Sequence, residues 1–241
     1  MIDLHCHIIP WVDDGAESAR IACQMAEYSL RNGVDTIVAT PHCNLQGARL
    51  NYRGKEYTTF FSMFRALLIQ HGIPLRVLPG SEVFAHGSNL QSLLEEEQVV
   101  TLNHSRYLLV EFNFQTPADE LNRLLAMVAR YGYVPVVAHP ERYSAIQNAP
   151  GLAVQWYEKG YVIQLNKGSL LGRLGQTACD TARYLLSSES AHVVASDAHD
   201  MRGRPPGFHS LLPLLQEDCS PDYIHDLLVK NPYRIITDQD L

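Results

Sequence analysis

The chain has 241 residues, 46% of them hydrophobic, and a formal net charge of -7. A chain of this length holds one sizeable core and lies near the size of (β/α) barrels, and its composition excludes disorder. The acidic balance, with no basic run, argues against nucleic acid and against an anionic membrane as partners; a phosphate-bearing substrate still fits a cleft whose field arginines or cations reverse. Five cysteines form no disulfide spacing, no leader precedes "IDLHCHI", and no apolar run nears the roughly 20 residues of a bilayer span. The expectation is a reduced, cytoplasmic protein without membrane insertion.

In chain order, "MIDLHCH" supplies a first strand. A helix follows over Glu17–Asn32, with Ala19, Ala22, Cys23, Ala26 and Leu30 on one stripe, polar residues opposite, and Asn32-Gly33 as its stop. "TIVAT" (Thr36–Thr40) is a strand, Phe60–His71 a helix, and "RVLP" (Arg76–Pro79) and "RYLLVEF" (Arg106–Phe112) are strands. A helix over Pro117–Tyr131 leads to the strands "VPVVAH" (Val134–His139) and "YVIQLN" (Tyr161–Asn166). A helix over Gln176–Ser188, the strand "HVVASD" (His192–Asp197) and a helix over Ser220–Val229, opening with serine then proline, complete the series. The strand runs are apolar and β-branched, as in sheets covered on both faces. Strand–helix units repeated without a linker predict one α/β domain over 1–241, with a parallel sheet that is closed or nearly closed.

The histidines and carboxylates fall where these strands end. His5 and His7, two apart, share one face and can grip one cation. His42 follows "TIVATP", Glu82 follows "VLPGS", Glu111 ends "YLLVE", and His139 ends "VPVVAH". Asp197 and His199 follow "HVVAS", again two apart. Parallel barrels build their sites at the carboxyl-terminal strand ends. Each motif alone reads as readily as solvated histidines or loop punctuation; the joint pattern is what points to a metal centre. His71, His86, His104, His192, His209 and His225 lack that placement and read as surface or core residues.

Two other stretches compete. "HCNLQGAR" places Cys43 and Arg49 at the Cys-x5-Arg spacing of cysteine phosphatases, but Gln46 stands where their loop carries glycine and Leu50 follows the arginine. Cys43 therefore reads as a small buried residue beside His42. "NKGSLLGRLG" (Asn166–Gly175) fits no phosphate or dinucleotide loop and reads as the entry to a helix, with Asn166 placed to face the site.

"DLHCH", "TPHC", "GSE", "VEF", "AHPER" and "SDAH", in this order, resemble the polymerase and histidinol phosphatase (PHP) superfamily over almost the whole chain. "HCHIIPWVDDG", "HPERY" and "GRPPGF" resemble its bacterial protein-tyrosine phosphatase branch, whose members are associated with capsule and exopolysaccharide operons. The resemblance implies a distorted, TIM-like (β/α)7 barrel with a trinuclear metal cluster. On this chain His5, His7, Glu82 and Asp197 would hold one ion, and Glu82 would bridge to a second held by Glu111 and His139. His42, His199 and an aspartate of "VDDG" would hold the third; Asp14 is preferred to Asp13, though spacing alone does not separate them. Mixed nitrogen and oxygen donors suit manganese, iron or zinc, and ligand type does not choose among them; the resemblance puts manganese first, with iron, zinc or magnesium as alternatives.

A water bridging two cations loses a proton near neutral pH and can attack phosphorus in line. Arg142 of "HPER" and Arg204 of "GRPP" are the expected phosphate clamps, since a guanidinium matches two oxygens at once; Arg202 has a weaker claim. A phenolate, from a group of pKa about 10, needs little help from a general acid, and none is named by the sequence. The expected substrate is a phosphotyrosine protein, a cognate bacterial tyrosine kinase. The rivals are a PHP phosphatase for a small phosphomonoester such as histidinol phosphate, and a metal-binding scaffold, which would show an incomplete ligand set. The oligomeric state is not legible.

Overall fold

Short β-branched runs form the parallel strands of a computed structural model, which describes residues 1–45, 49–86 and 89–241. They are β1 (Ile2–Cys6), β2 (Thr36–Ala39), β3 (His42–Cys43), β4 (Arg76–Pro79), β5 (Glu82–Phe84), β6 (Tyr107–Glu111), β7 (Val134–Ala138), β8 (Val162–Asn166) and β9 (Val193–Ala195). β2 and β3 are two halves of one strand, as are β4 and β5, so the segments make seven strands. The first halves pair in the order β1-β2-β4, and the second halves in the order β3-β5-β6-β7-β8-β9. Backbone rungs from β1 to the exit of β9 close the ring: Asp197 N–H donates to His5 O at 2.9 Å and His7 N–H to Ala198 O at 2.8 Å. The expected distorted (β/α)7 barrel is the fold.

Both breaks have a chemical cause. Pro41 has no N–H to continue the ladder: Thr40 N makes the last bond to β1, on Cys6 O at 3.0 Å, while Pro41 O accepts from Glu82 N at 3.1 Å, so beyond the break the strand keeps only its β4/β5 neighbour. At Gly80 the Tyr57 hydroxyl satisfies the interrupted backbone, donating to Gly80 O at 2.8 Å and accepting from Gly80 N at 3.0 Å. A Cβ on Gly80 would meet Val38 Cγ1 at 2.7 Å, so the crowded break requires glycine.

Inside the ring every strand contributes to an apolar floor, with Leu4, Val38, Leu78, Leu109, Val136, Val162 and Val193 among its residues. The floor rests on Ile235 and Ile236 of α11 (Asn231–Ile236). The outer face of the ring packs under α1 (Ala19–Arg31), α2 (Lys55–Gln70), α3 (Asn89–Glu95), α4 (Ala118–Arg130), α5 (Ser144–Asn148), α6 (Gly151–Glu158), α7 (Lys167–Leu170), α8 (Gln176–Ser187), α9 (Leu212–Asp218) and α10 (Pro221–His225). Three helices depart from the sequence pattern. α1 buries Ala22, Met25, Ala26 and Ser29, a stripe turned from the expected one because the Ser29 hydroxyl hides itself on Met25 O at 2.8 Å. α2 starts at Lys55 rather than Phe60: its buried stripe of Phe61, Phe64 and Leu68 extends back to Tyr57, whose polar neighbours Lys55, Glu56, Thr58 and Thr59 mask the period. The helix expected over Ser220–Val229 widens into a π turn at Asp226–Lys230 before continuing as α11. Among the described residues, no helix is long and apolar enough to cross a membrane.

His192 plays a structural part. Its Nδ1 accepts from Ile163 N at 3.1 Å, its ring stacks on Tyr157 at 4.4 Å, and burial lowers its pKa to about 4. That folded value lies below the ordinary histidine value of 6.5, so the unfolded chain takes up the proton first. The contribution is present above pH 6.5 and is lost as pH falls through about 4, amounting to at most about 3 kcal/mol. His192→Asn, which keeps an acceptor but cannot titrate, should therefore show a smaller fall in Tm between pH 7 and pH 5 than the wild-type protein; equal falls would remove His192 from the acid response.

Candidate metal centre

Side chains alternate along a strand, so an even step from a floor residue keeps the inward face. His42 stands four residues beyond Val38, Glu82 four beyond Leu78, Glu111 two beyond Leu109, and Asp197 four beyond Val193, all above the floor. His5, His7 and His139 lie at odd steps from Leu4 and Val136 and need a backbone irregularity to face inward. β1 supplies a bulge, with one extra residue between Asp3 and Cys6 against Ile37 and Ala39 of β2. His139 supplies a left-handed backbone, φ 35° and ψ 56°. Asp197 is also left-handed, at φ 48°. Such strain is kept where the surroundings over-determine it.

The structure brings together all nine residues expected to hold metal. Glu82, buried, lies at the middle: its Oε1 is 3.2 Å from His5 Nε2 and 3.0 Å from His139 Nε2, and its Oε2 is 3.3 Å from His7 Nε2 and 3.0 Å from His42 Nδ1. Asp197 Oδ1 lies 3.4 Å from His5 Nε2 and 3.5 Å from His7 Nε2. Glu111 approaches His139 at 3.6 Å and His42 at 3.7 Å. Asp14 Oδ1 sits 3.3 Å from His42 Nε2 and 3.4 Å from His199 Nε2, so Asp14 rather than Asp13 joins the cluster.

A layer behind these side chains aims them. His5 Nδ1 hydrogen-bonds Gln164 Oε1 at 2.9 Å, His7 Nδ1 bonds Asp13 Oδ2 at 2.7 Å, and His199 Nδ1 bonds Asp197 O at 3.0 Å. Each bond puts the ring proton on Nδ1 and leaves the Nε2 lone pair facing the cluster. Asp13 is fixed in turn by the N–H groups of Gly15 and His42. Gly15 approaches the backbone so closely that a Cβ there would stand 2.2 Å from His7 O. Asn166 Nδ2 donates to Asp197 Oδ2 at 2.7 Å, as its placement suggested. Gln164 was missed in the sequence; its signal was a lone amide inside the apolar run "VIQLN".

The donor set fits divalent cations. Ligand atoms from His7, Asp14, His42 and His199 lie within 4.8 Å of one another, as do those of His5, Glu82 and His139, of His5, His7 and Asp197, and of His42, Glu82 and Glu111. His42 Nδ1 and His199 Nε2 are buried beside carboxylates without hydrogen-bond geometry to any group, their lone pairs aimed into shared space. Burial, reinforced by the charge of Glu82, pushes the Glu111 carboxyl up to about 8. Crowded buried acids of this kind call for positive charge beyond what the imidazoles supply.

Both expected arginines border the cluster at Asp197. Arg204 Nη1 is 3.3 Å and Arg142 Nη1 3.6 Å from Asp197 Oδ2. Lys167, nearly buried and with burial lowering its pKa to about 8, donates to the carbonyls of Pro205 and of Gly207, the latter at 2.9 Å, and so anchors the loop that carries Arg204. Arg202 stands apart, on the wall of a cleft of about 510 Å³ that begins at Asp14 and passes Arg20 and Met201. Cys43 is fully buried and its thiol is pushed up to about 12 by burial, while Arg49 is spent on Glu56 at 2.6 Å. Neither can serve a cysteine phosphatase. Gln46 of that loop lies outside the described residues, and all five cysteines are free.

The sequence model of the family described as capsular polysaccharide synthesis, CpsB/CapC, matches residues 1–237. The chain belongs to the CpsB/CapC family. Within it, the tyrosine-protein phosphatase YwqE of Bacillus subtilis is 38% identical over 210 residues, covering 87% of this chain and 81% of YwqE. The tyrosine-protein phosphatase CpsB of Streptococcus pneumoniae is 31% identical over 244 residues, 99% of each chain. A solved structure from the pair YwqE and CpsB, described as unique metal-dependent tyrosine phosphatases, is similar with a TM-score of 0.89 at 34% identity, over 100% of this chain and 96% of that one. The branch that the motifs resemble is thus the family to which the chain belongs.

Two variants of this CpsB/CapC chain probe the layer behind the cluster. Gln164→Leu removes the partner of His5 Nδ1 and should weaken manganese binding about 10- to 100-fold in a calorimetric titration; unchanged affinity would make that hydrogen bond incidental. Lys167→Met frees the Arg204 loop and should raise the inhibition constant of inorganic phosphate about tenfold without changing bound metal; loss of metal instead would assign Lys167 to the cluster.

Proposed function

We propose that the chain, as one domain over 1–241, is a metal-dependent phosphatase of protein phosphotyrosine. The observation that carries this is the buried set of nine nitrogen and oxygen donors with two arginines at its edge, in a chain of the CpsB/CapC family. Three cations would be held as the family pattern implies: the first by His5, His7, Glu82 and Asp197, the second by Glu82, Glu111 and His139, and the third by Asp14, His42 and His199. Manganese is the first choice, ahead of iron, zinc or magnesium. Bound cations would acidify a water and neutralise charge on the phosphoryl oxygens.

The chain's own residues do the rest. Gln164 and Asp13 keep His5 and His7 in the tautomer that faces the cluster. Arg142 and Arg204 would hold the phosphoryl oxygens from the edge of the cluster at Asp197, each offering a fork of donors. The apolar floor excludes water from below, so charge on these groups acts in a poorly screened space. The cluster is open on the side of Asp14, whose side chain is 63% exposed, and a cleft running from there past Arg20 and Arg202 leaves room for polypeptide beyond the phosphorylated residue. That openness favours a protein substrate over a small metabolite. The partner proposed is a cognate bacterial tyrosine kinase of capsule or exopolysaccharide synthesis, met in the cytoplasm.

Purified protein should turn over a phosphotyrosine peptide with manganese, lose that activity to a chelator, and keep it in Cys43→Ser. Activity that survives chelator and vanishes in Cys43→Ser would sink the cluster as the catalyst. Preference for histidinol phosphate over the peptide would keep the metals and move the substrate to a small phosphomonoester.

A further inference from the structure

The segment after β6 holds an aromatic ring at the edge of the site that neither the metal cluster nor the core uses. Phe112 is buried, whereas Phe114 is 36% exposed. The turn that presents it is fixed: Phe114 O accepts from Ser144 N at 2.8 Å, and Asn113 accepts at Oδ1 from Gln115 N and at its carbonyl from Thr116 N, both at 2.9 Å. The ring lies on Arg142, with 4.3 Å between the guanidinium carbon and the ring centroid, and stands 6.1 Å from the His139 ring at 71°. Arg142 in turn reaches Asp197 of the cluster at 3.6 Å.

A guanidinium recognises phosphate with its N–H edge and stacks on aromatics with its face. Arg142 therefore holds a phosphoryl group at its edge while Phe114 covers its face. A phosphate ester bound there carries its leaving group out past the rim of the guanidinium, alongside the exposed part of Phe114. A phenyl ring attached directly to the ester oxygen reaches that surface; a methyl or short alkyl group does not. Resting on the functional reading above, we propose that Phe114 is a specificity-determining residue that packs against the aromatic ring of phosphotyrosine and so separates aryl from alkyl phosphates. Stacking on Arg142 alone is the competing structural role, and it would favour both classes equally.

The test compares manganese-loaded wild type, Phe114→Ala and Phe114→Leu in calorimetric binding of phenylphosphonate and methylphosphonate, which cannot be hydrolysed, alongside KM for a phosphotyrosine peptide. Phe114→Ala should weaken phenylphosphonate about three- to tenfold and raise the peptide KM to match, with methylphosphonate within about twofold. Phe114→Leu, which keeps apolar bulk, should fall between. Equal weakening of both phosphonates, or of neither, in variants that melt as the wild type does would overturn the assignment. Failure of the functional reading shows separately, as wild-type protein that does not turn over the peptide, and leaves the phosphonate ratio to be judged by itself.

Discussion

Four carboxylates and five imidazoles meet at one end of the barrel, and all but Asp14 are buried or nearly so. Buried charges survive only when paired, hydrogen-bonded or bound to cations, and this crowding is the constraint on which the other features depend. The imidazoles satisfy part of it. Burial alone would raise Glu82, but His5 and His42, with a hydrogen bond from His139, hold its carboxyl well below the usual range. Glu111, with fewer partners and the charge of Glu82 beside it, sits high at about 8. A donor set left unbalanced in this way is the electrostatic complement of several divalent cations. An apolar floor supports it from below, and this keeps water, and with it dielectric screening, to the open side.

Placing so many ligand atoms within a few ångströms is beyond an ideal barrel, whose strands offer only alternate residues to the interior. The backbone departs from ideality where the even step fails. The bulge in β1 turns both His5 and His7 inward, and the left-handed His139 does the same for β7. Pro41 and Gly80 interrupt two strands that already offer His42 and Glu82 at even steps; beyond the breaks the second halves still pair with each other, and β5 goes on to pair with β6. A left-handed non-glycine residue costs on the order of 1 kcal/mol, a small sum against the pairing each departure makes available.

Much of this was legible because strand ends and ligand-type residues are both written locally. The runs "VLPGSE", "YLLVE" and "VPVVAH" place Glu82, Glu111 and His139 by counting from an apolar strand, and the structure puts them there. Two-residue spacing placed His5 beside His7 correctly, yet by a bulge that no local pattern announces. Asp13 and Asp14 are adjacent and chemically identical, so only the fold separates the one that orients His7 from the one beside His42 and His199. Gln164 and Lys167 were out of reach for a related reason: each acts on a group far away in sequence, β1 for the first and the Arg204 loop for the second. The helix pattern erred where polar first turns or self-satisfied hydroxyls hide apolar periodicity, as at Lys55 and Ser29.

The carboxylate–imidazole cluster and the two arginines at its edge share Asp197. Its Oδ1 faces His5 and His7, while its Oδ2 accepts from Asn166 and is approached by Arg204 and Arg142. One carboxylate thus fixes how far the arginines stand from His5 and His7. The arginines are held from behind by different means: Arg142 by the face of Phe114, Arg204 by a loop whose carbonyls a buried lysine gathers. Each arginine reaches Asp197 with one nitrogen, and Arg204 also stands 3.9 Å from the exposed Asp14. A guanidinium carries five N–H donors, so the remaining ones are left unspent by these contacts. The Cys43 loop shows the opposite arrangement, with its thiol sealed in the core and Arg49 paired to Glu56, so it offers no anion site even though its spacing suggests one.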